Sequence, residues 1–173
     1  MSDIVLKDMN GDDNTYEGVT AVKLNLEDGS TKVFVPEGEG GSLIDYVNNG
    51  FYCKTAVSKQ YCNLTGVRSV TFMYLQTIAG LCFDGCSDLE KADFHAATSF
   101  GTQVFSRCYK LRALVIRTET MCTLSNSDID FFFSGIPYIY VPSSLVETYK
   151  ADSAWSNFSS YFRAIEDYPD ICG

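Results

Sequence analysis

Few residues in this chain have the chemistry and spacing of a catalytic site. His95 is the single histidine, which excludes a site built from several imidazoles and leaves one candidate base. It directly follows Phe94, which we expect to point inward at the end of a strand. A solvated imidazole is the more common outcome at such a position, so we predict no catalytic residue.

Two groups of residues have partial metal-site spacing. Cys82 and Cys86 are separated by three residues, but no second cysteine pair or histidine follows at the spacing of a zinc site. Asp8, Asn10 and Asp12 resemble half of a calcium loop. An EF-hand loop needs Gly and Glu where this chain has Asp13 and Val19. We therefore predict no metal and no cofactor, and only weak cation binding at the Asp8–Asp13 turn stays open.

A period of twenty-two residues dominates the middle of the chain. At this offset Tyr61, Phe83 and Phe105 fall into one column. Such a period is typical of a solenoid, in which each turn is too small to bury its apolar side alone and stacks on its neighbours. Four further apolar columns follow the same offset: Leu64, Cys86, Cys108; Val67, Leu89, Leu111; Val70, Ala92, Leu114; and Phe72, Phe94, Ile116.

Composition restricts the partners that we expect. A formal net charge of −9 argues against nucleic acid and anionic membrane surfaces, which need clustered lysine and arginine. The first residues, Met1-Ser2-Asp3-Ile4-Val5, lack the basic segment and apolar core of a cleaved export signal. Cys86 and Cys108 share an apolar column, so we expect buried, reduced thiols, although a disulfide between them is geometrically conceivable.

The sequence pattern divides the chain into four parts. Residues 1–36 are predicted to form an antiparallel β attachment unit of two hairpins, with tight turns at Asn10-Gly11 and Asp28-Gly29. Residues 37–50 are predicted to be a linker and an N-terminal cap that contains a short helix beginning at Ser42. Residues 51–142 carry the repeats, and residues 143–173 form a C-terminal helical cap.

Two irregularities follow the last regular repeat. Ile136, Ile139 and Val141 repeat earlier apolar columns at a spacing of twenty-five, so three extra residues lie within 117–133. In the C-terminal part, apolar residues have helical spacing, and Ser143 or Ser144 is a predicted N-cap. A partner site is one interpretation of this apolar face, but we expect its residues to plug the last turn, because terminal repeats need a cap: Leu145, Val146, Tyr149, Trp155, Phe158 and Phe162.

Two segments of the chain carry a family resemblance. Phe83 to Phe94 reads Phe-Asp-Gly-Cys-Ser-Asp-Leu-Glu-Lys-Ala-Asp-Phe, and Phe105 to Leu111 repeats its first part. This pattern resembles the BspA-like leucine-rich repeat, and the segment from Ile139 to Lys150 is similar to the ending of such arrays. The resemblance covers about residues 60–166. It implies an α+β fold: a short leucine-rich-repeat solenoid of about three 22-residue repeats with a small parallel sheet, an N-terminal β-hairpin unit and a C-terminal capping helix.

The same resemblance implies two functions. BspA-like arrays occur in bacterial surface adhesins and in phage or prophage virion proteins, where the array follows a short N-terminal β unit; residues 3–35 are similar to the second context. We therefore expect a non-enzymatic virion structural protein of a tail, baseplate or head fibre, assembled in the host cytoplasm as a homo-oligomer. Its expected partners are other virion proteins or a host surface receptor. The alternative is a bacterial cell-surface adhesion module.

The outward positions of the predicted sheet and the enlarged loop are the expected binding surface, because these positions form the extended surface of a solenoid. On this expectation, replacing Asp93 and Arg117 together weakens partner binding and leaves thermal stability nearly unchanged. The residues of the expected surface are Thr71, Asp93, His95, Val115, Arg117 and Thr120.

Overall fold

In the computed structural model, side chains are described for most of residues 56–173, and only the backbone is described for the strands that precede them. Side chains are described for residues 56, 58–59, 61–64, 66–72, 75–125 and 137–173. The backbone alone is described for Ser2–Lys7, Asp13–Val19, Val22–Asn25, Thr31–Phe34, Gly41–Asp45 and Thr55. Within these residues the fold is α+β, with two parallel sheets and few helices.

The N-terminal strands form the two predicted hairpins. β1 (Ser2–Lys7) pairs antiparallel with β2 (Asp13–Val19), and β3 (Val22–Asn25) pairs antiparallel with β4 (Thr31–Phe34). The register opposes Lys7 to Asp13 and Asn25 to Thr31. Residues 8–12 and 26–30 connect the strands, and the tight turns predicted at Asn10-Gly11 and Asp28-Gly29 fall within them. Both connections, including the partial calcium loop before Asp13, lie outside the described residues.

A six-stranded parallel sheet forms one side of the repeat region. Its order is β14-β13-β11-β9-β7-β5, so each coil of the chain adds a strand beside the previous one. Val70 pairs with Ala92 and Ala92 with Leu114, which reproduces the 22-residue period as strand register. The strands are β5 (Gly41–Asp45), β7 (Val67–Phe72), β9 (Lys91–Phe94), β11 (Ala113–Ile116), β13 (Tyr138–Val141) and β14 (Phe162–Ala164).

A second parallel sheet lies on the opposite side of each coil. It consists of two-residue strands in the order β12-β10-β8-β6, and Ile78 pairs with Phe100 as Phe100 pairs with Leu124. The chain therefore alternates between the two sheets once per coil. The strands are β6 (Thr55–Ala56), β8 (Thr77–Ile78), β10 (Ser99–Phe100) and β12 (Thr123–Leu124).

The main core lies between the two sheets and contains the predicted columns. The rings of Tyr61 and Phe83 stack with centroids 5.2 Å apart, and those of Phe83 and Phe105 with centroids 5.4 Å apart. Phe94 lies edge-on to Phe100 of the second sheet at 5.3 Å, so the two sheets share one interior. Leu64 is half-buried, and every other residue of the five columns is buried. The predicted stacking of these columns is confirmed.

The backbone between the sheets also repeats every twenty-two residues. Lys59, Leu81 and Gln103 have φ values of 60°, 59° and 54°, a left-handed conformation that is uncommon outside glycine. A second series consists of Asn63, Gly85 and Arg107, with φ values of 54°, 76° and 58°. Because different side chains adopt the same unusual dihedral at equivalent positions, the coil geometry dictates the local conformation.

Polar contacts join successive coils inside the repeat. The thiol of Cys86 donates to the carbonyl oxygen of Tyr61 at 3.0 Å, and that of Cys108 donates to the carbonyl oxygen of Phe83 at 3.2 Å. The two cysteines carry thiols and no disulfide joins them. Arg107 donates two hydrogen bonds to the carboxylate of Asp84, at 2.9 and 2.6 Å, and holds the pKa of that carboxyl below its ordinary value.

Two predictions for the ends of the array are wrong. The helix expected from Ser42 is instead strand β5, which pairs in parallel with β7 and extends the sheet into the predicted linker. Phe162, expected on a helix, begins β14 and pairs with Ile139. Both segments add a strand to an existing sheet edge, and the hydrogen bonds gained there outweigh a local preference for helix.

The remaining C-terminal elements cover the end of the main core. The 3₁₀ helix Ser143–Leu145 leads into α1 (Val146–Ala151), and neither has a capping hydrogen bond from Ser143 or Ser144, contrary to expectation. The 3₁₀ helix Ser156–Tyr161 follows. Trp155 is fully buried, and its indole donates to the carbonyl oxygen of Cys122 at 2.8 Å. The predicted plugging role of the aromatic residues is confirmed, with short helical turns in place of one long helix.

The slip to a 25-residue spacing is confirmed in the strand register. Leu114 pairs with Ile139, twenty-five positions later, in the same parallel sheet. The three extra residues therefore lie in the connection between β11 and β13. Residues 126–136 of that connection, including the Phe131–Phe133 triplet and Ile136, lie outside the described residues.

Candidate binding face on the six-stranded sheet

One row of side chains crosses the face of the six-stranded sheet opposite the main core; we call this side the outer face. The register aligns Thr71, Asp93, Val115, Tyr140 and Arg163 on β7, β9, β11, β13 and β14. Neighbouring residues along each strand point to the opposite face, so this row alternates with the buried row that contains Leu114. The row therefore contains the positions that the sequence predicts to point outward from the repeats.

A charged cluster occupies the middle of this face. Arg117 donates two hydrogen bonds to the carboxylate of Asp93, Nε to Oδ1 and Nη2 to Oδ2, both at 2.8 Å. Lys91 Nζ lies 3.4 Å from the same carboxylate, and His95 Nε2 lies 3.6 Å from it. Asp93 is 3% exposed. Three basic side chains therefore surround one buried acid, which is the arrangement that a buried carboxylate requires.

The last residues of the described chain cover this cluster. Residues 165–173, which we call the strap, comprise the 3₁₀ helix Ile165–Asp167, the short helix α2 (Pro169–Cys172) and Gly173. Lys91 Nζ donates to the carbonyl oxygen of Ile171 at 2.6 Å, and Arg117 Nη2 donates to the carbonyl oxygen of Cys172. Cations at the last carbonyls of a helix satisfy acceptors that have no partner within the helix.

Apolar contacts fix the strap beside the charged cluster. Cys172, which is 2% exposed, forms a small cluster with Ala113, Val115 and Tyr140, and Ile165 packs against it. This cluster is separate from the main core on the other side of the sheet. The ring of Tyr168 lies edge-on to that of Tyr140, with centroids 5.3 Å apart. The outer face therefore carries a second, smaller core under the strap.

Burial and charge shift the acid–base properties of these groups. The pKa of His95 is lowered from its ordinary value, chiefly because burial disfavours the imidazolium; the Asp93 carboxylate opposes this, and Arg117 and Lys91 add to it. Hydrogen bonding to Asp93 raises the pKa of Arg117. Burial raises the pKa of the Cys172 thiol, so the thiol is protonated and poorly nucleophilic while the strap is docked.

Five of the six predicted surface residues lie close together on or beside the row, but they differ in how far they are exposed. Thr71 is half-buried in the row, and His95 and Arg117 occupy equivalent positions just after β9 and β11, beside Asp93. Asp93 and Val115 were expected to face solvent, and this is wrong: Val115 is 0% exposed because the strap covers it. Thr120 is exposed in the loop after β11, beyond the end of the row.

An aromatic corner next to the strap remains accessible. Tyr138 is 48% exposed, and the guanidinium carbon of Arg163 lies 4.6 Å from the centre of its ring. The ring of Tyr161 is 6.4 Å away. Tyrosine and arginine are the residue types that most often dominate binding energy at protein interfaces. This corner is the accessible part of the outer face that is best suited to a protein partner.

The covering of Val115 and the position of Tyr140 on this face were not predicted, although the sequence carries a signal for each. Ala113–Ile116 contains no polar residue, and all four residues are buried. A parallel strand that is apolar at every position is buried on both faces. That pattern in β11 indicates a covering segment over Val115. Tyr140 lies in the same row, twenty-five positions after Val115, so the change to a 25-residue spacing predicts its place beside Val115.

Comparison with protein-family models, with curated proteins and with solved structures returned no match to this chain. Among the described residues, no group of three or more histidine, cysteine, aspartate or glutamate side chains is arranged to hold a metal ion. No helix among the same residues has the length and apolar character needed to cross a bilayer.

Proposed function

We propose that the protein is a non-enzymatic virion structural protein whose coils form a BspA-like leucine-rich-repeat solenoid. The observation that carries the proposal is the 22-residue return of the same backbone and side-chain geometry, from the ring stack of Tyr61, Phe83 and Phe105 to the two series of left-handed residues. An array of this kind presents an extended surface to partners.

The arrangement of the acid–base residues supports a binding role. Arg117, Lys91 and His95 surround the Asp93 carboxylate, and Arg117 and Lys91 also donate hydrogen bonds to main-chain carbonyls of the strap. A general base needs access to a substrate proton. This cluster serves to bind a peptide segment, which is the function expected of an appendage or an adhesion module.

The N-terminal hairpins are the proposed attachment unit. Two-stranded ribbons are marginally stable alone in water, so β1–β2 and β3–β4 gain stability when they associate with other protein surfaces. Symmetric association of copies is the commonest solution for such units. We propose a homo-oligomer that attaches through residues 1–36 and presents the repeats and the aromatic corner to other virion proteins or to a host surface receptor.

Peptide mapping of purified particles tests this function. Particles released by prophage induction from the source cells should contain peptides of this chain in a fixed ratio to other virion proteins. A bacterial surface adhesin, the alternative, would instead be released by brief protease treatment of intact, uninduced cells. Absence of the chain from particles, together with its recovery from the cell surface, refutes the virion role.

The mass of the purified protein tests the oligomer separately. Sedimentation at micromolar concentration should give a closed multimer of the 19.2 kDa chain. A well-folded monomer under the same conditions contradicts the proposed attachment by association of copies.

A further inference from the structure

The contacts that hold the strap lie outside the main core: the small apolar cluster, hydrogen bonds from Lys91 and Arg117, and hydrogen bonds from Ser143 to the Glu166 carboxylate. Of its nine residues, only Cys172 is buried, and its apolar contacts belong to the small cluster with Ala113, Val115 and Tyr140. The main core contains no strap residue. Segments with little buried apolar area open at a lower free energy than the core unfolds. The strap can therefore leave the sheet while the coils stay folded.

The face beneath the strap has the features of a peptide-binding site. Without the strap, Val115 and Tyr140 form an apolar patch, and Lys91 and Arg117 lie beside it with donors that now serve the carbonyls of Ile171 and Cys172. Asp93 keeps Arg117 oriented through two hydrogen bonds. The patch fits a small apolar side chain, and the two cations fit consecutive main-chain carbonyls at the end of a helical turn.

We propose that residues 165–173 are a self-bound ligand that blocks a peptide-binding site on the outer face. The occupant that replaces the strap is a segment of a partner protein with the same chemistry: one helical turn with a small apolar side chain, whose last two carbonyls accept hydrogen bonds from Lys91 and Arg117. This inference deepens the proposed function, on which it rests, because it names the site and the kind of segment that the repeat surface binds.

Thiol labelling of the folded full-length protein tests whether the strap opens. With excess maleimide and mapping of the labelled peptides, Cys172 should react at least about tenfold faster than Cys82, Cys86, Cys108 and Cys122, because local opening is more frequent than global unfolding. Half-buried Cys62 is the control for reagent access. Lys91→Met removes one strap hydrogen bond and should accelerate labelling of Cys172 alone. A Cys172 rate equal to those of the four core thiols overturns the proposal.

A synthetic peptide tests whether the face is a receptor. The probe is the strap sequence Ile-Glu-Asp-Tyr-Pro-Asp-Ile-Cys-Gly with an N-terminal fluorophore. It is titrated with the full-length variant Cys172→Arg, whose own strap cannot bury a guanidinium in the apolar cluster. Fluorescence anisotropy should show binding to the variant at least about tenfold tighter than to the wild type, because the wild-type strap competes within the same molecule.

The controls separate the alternatives. The same peptide with arginine at the cysteine position should not bind either protein, and Lys91→Met added to the variant should weaken binding of the unmodified peptide, because it removes the hydrogen bond to the isoleucine carbonyl. Equal binding to wild type and variant, or to neither, overturns the receptor role. A wild-type multimer in which Cys172 is fully protected, and which Cys172→Arg converts to a monomer, would make a second copy's strap the occupant and overturn the self-bound arrangement. Binding by a chain that is absent from particles would refute the virion role alone.

Discussion

Removal of Arg117 should destabilise the fold strongly, although sequence alone predicts a surface role for this residue. Asp93 is 3% exposed, and Arg117 supplies two hydrogen bonds of 2.8 Å to its carboxylate. Loss of one partner of a buried ion pair costs about 3–5 kcal/mol, because the other charge stays buried without compensation. Two facts reduce this cost: the Arg117 side chain is 24% exposed, and Lys91, 3.4 Å from the carboxylate, partly compensates the charge of Asp93 when Arg117 is absent. We therefore expect Arg117→Met to lower the free energy of unfolding by about 2–4 kcal/mol.

A double-mutant cycle isolates the charge effect. Asp93→Asn removes the buried charge, so Arg117→Met should cost about 1–2 kcal/mol less in that background than in the wild type. Urea unfolding followed by fluorescence suits the assay, because Trp155 is the single tryptophan and is fully buried. Far-UV circular dichroism at the same urea concentrations checks that unfolding is two-state.

The pair Asp88–Lys110 is the matched control for this cycle. It also joins successive coils, with Nζ and Oδ1 2.7 Å apart, but the side chains are 34% and 58% exposed. An exposed pair contributes about 0–1 kcal/mol, so Lys110→Met should be nearly neutral. If Arg117→Met costs no more than Lys110→Met, the Asp93 carboxylate is not buried and its pair with Arg117 is an ordinary surface contact.

Three further predictions test the coils and the charged cluster. Gly101→Ala should lower the free energy of unfolding by more than about 2 kcal/mol. The added Cβ would lie 2.8 Å from the carbonyl carbon of Ala79 and closer still to the Gly80 nitrogen, in backbone that cannot easily move. An unchanged urea midpoint contradicts this close approach. Phe83→Ala should cost about 3–5 kcal/mol in the same assay through loss of the central ring of the stack, and a loss below about 1 kcal/mol would show that the rings do not stack. Burial lowers the pKa of His95 below its ordinary 6.5, so the unfolded chain binds this proton more tightly than the folded chain, and stability declines as pH falls through about 6.5 and below. His95→Gln should remove part of that decline, measured by urea unfolding at about pH 7.5 and 5.5. An identical decline in the variant contradicts the lowered pKa.

The repeat could be predicted from sequence because each coil solves the same packing problem. Phe83 contacts Tyr61 on one side and Phe105 on the other, so the column of identical environments is visible as a column of apolar residues. The slip to twenty-five residues after Ile116 was visible for the same reason, since Ile139 must still pair beside Leu114.

The ends of the array and the covering of the outer face could not be predicted in the same way. Ser42 has a reasonable local preference for a helix start, but its strand pairs with β7, far along the chain. Phe162 likewise joins the sheet edge beside β13. The outward position of Asp93 was predicted correctly, and its exposure was not, because burial there depends on the strap, about eighty residues later. Only the fully apolar β11 carried a local sign of that contact.

Nuclear Overhauser contacts between ring protons measure directly whether successive coils stack their aromatic rings in one interior. With ring centroids 5.2 Å apart for Tyr61 and Phe83, and 5.4 Å apart for Phe83 and Phe105, selectively labelled protein should give strong cross-peaks for both neighbouring pairs. Tyr61 and Phe105, two coils apart, should give none. A direct cross-peak between Tyr61 and Phe105, or the absence of both neighbouring cross-peaks in folded protein, would contradict the stacked-coil architecture and the binding role built on it.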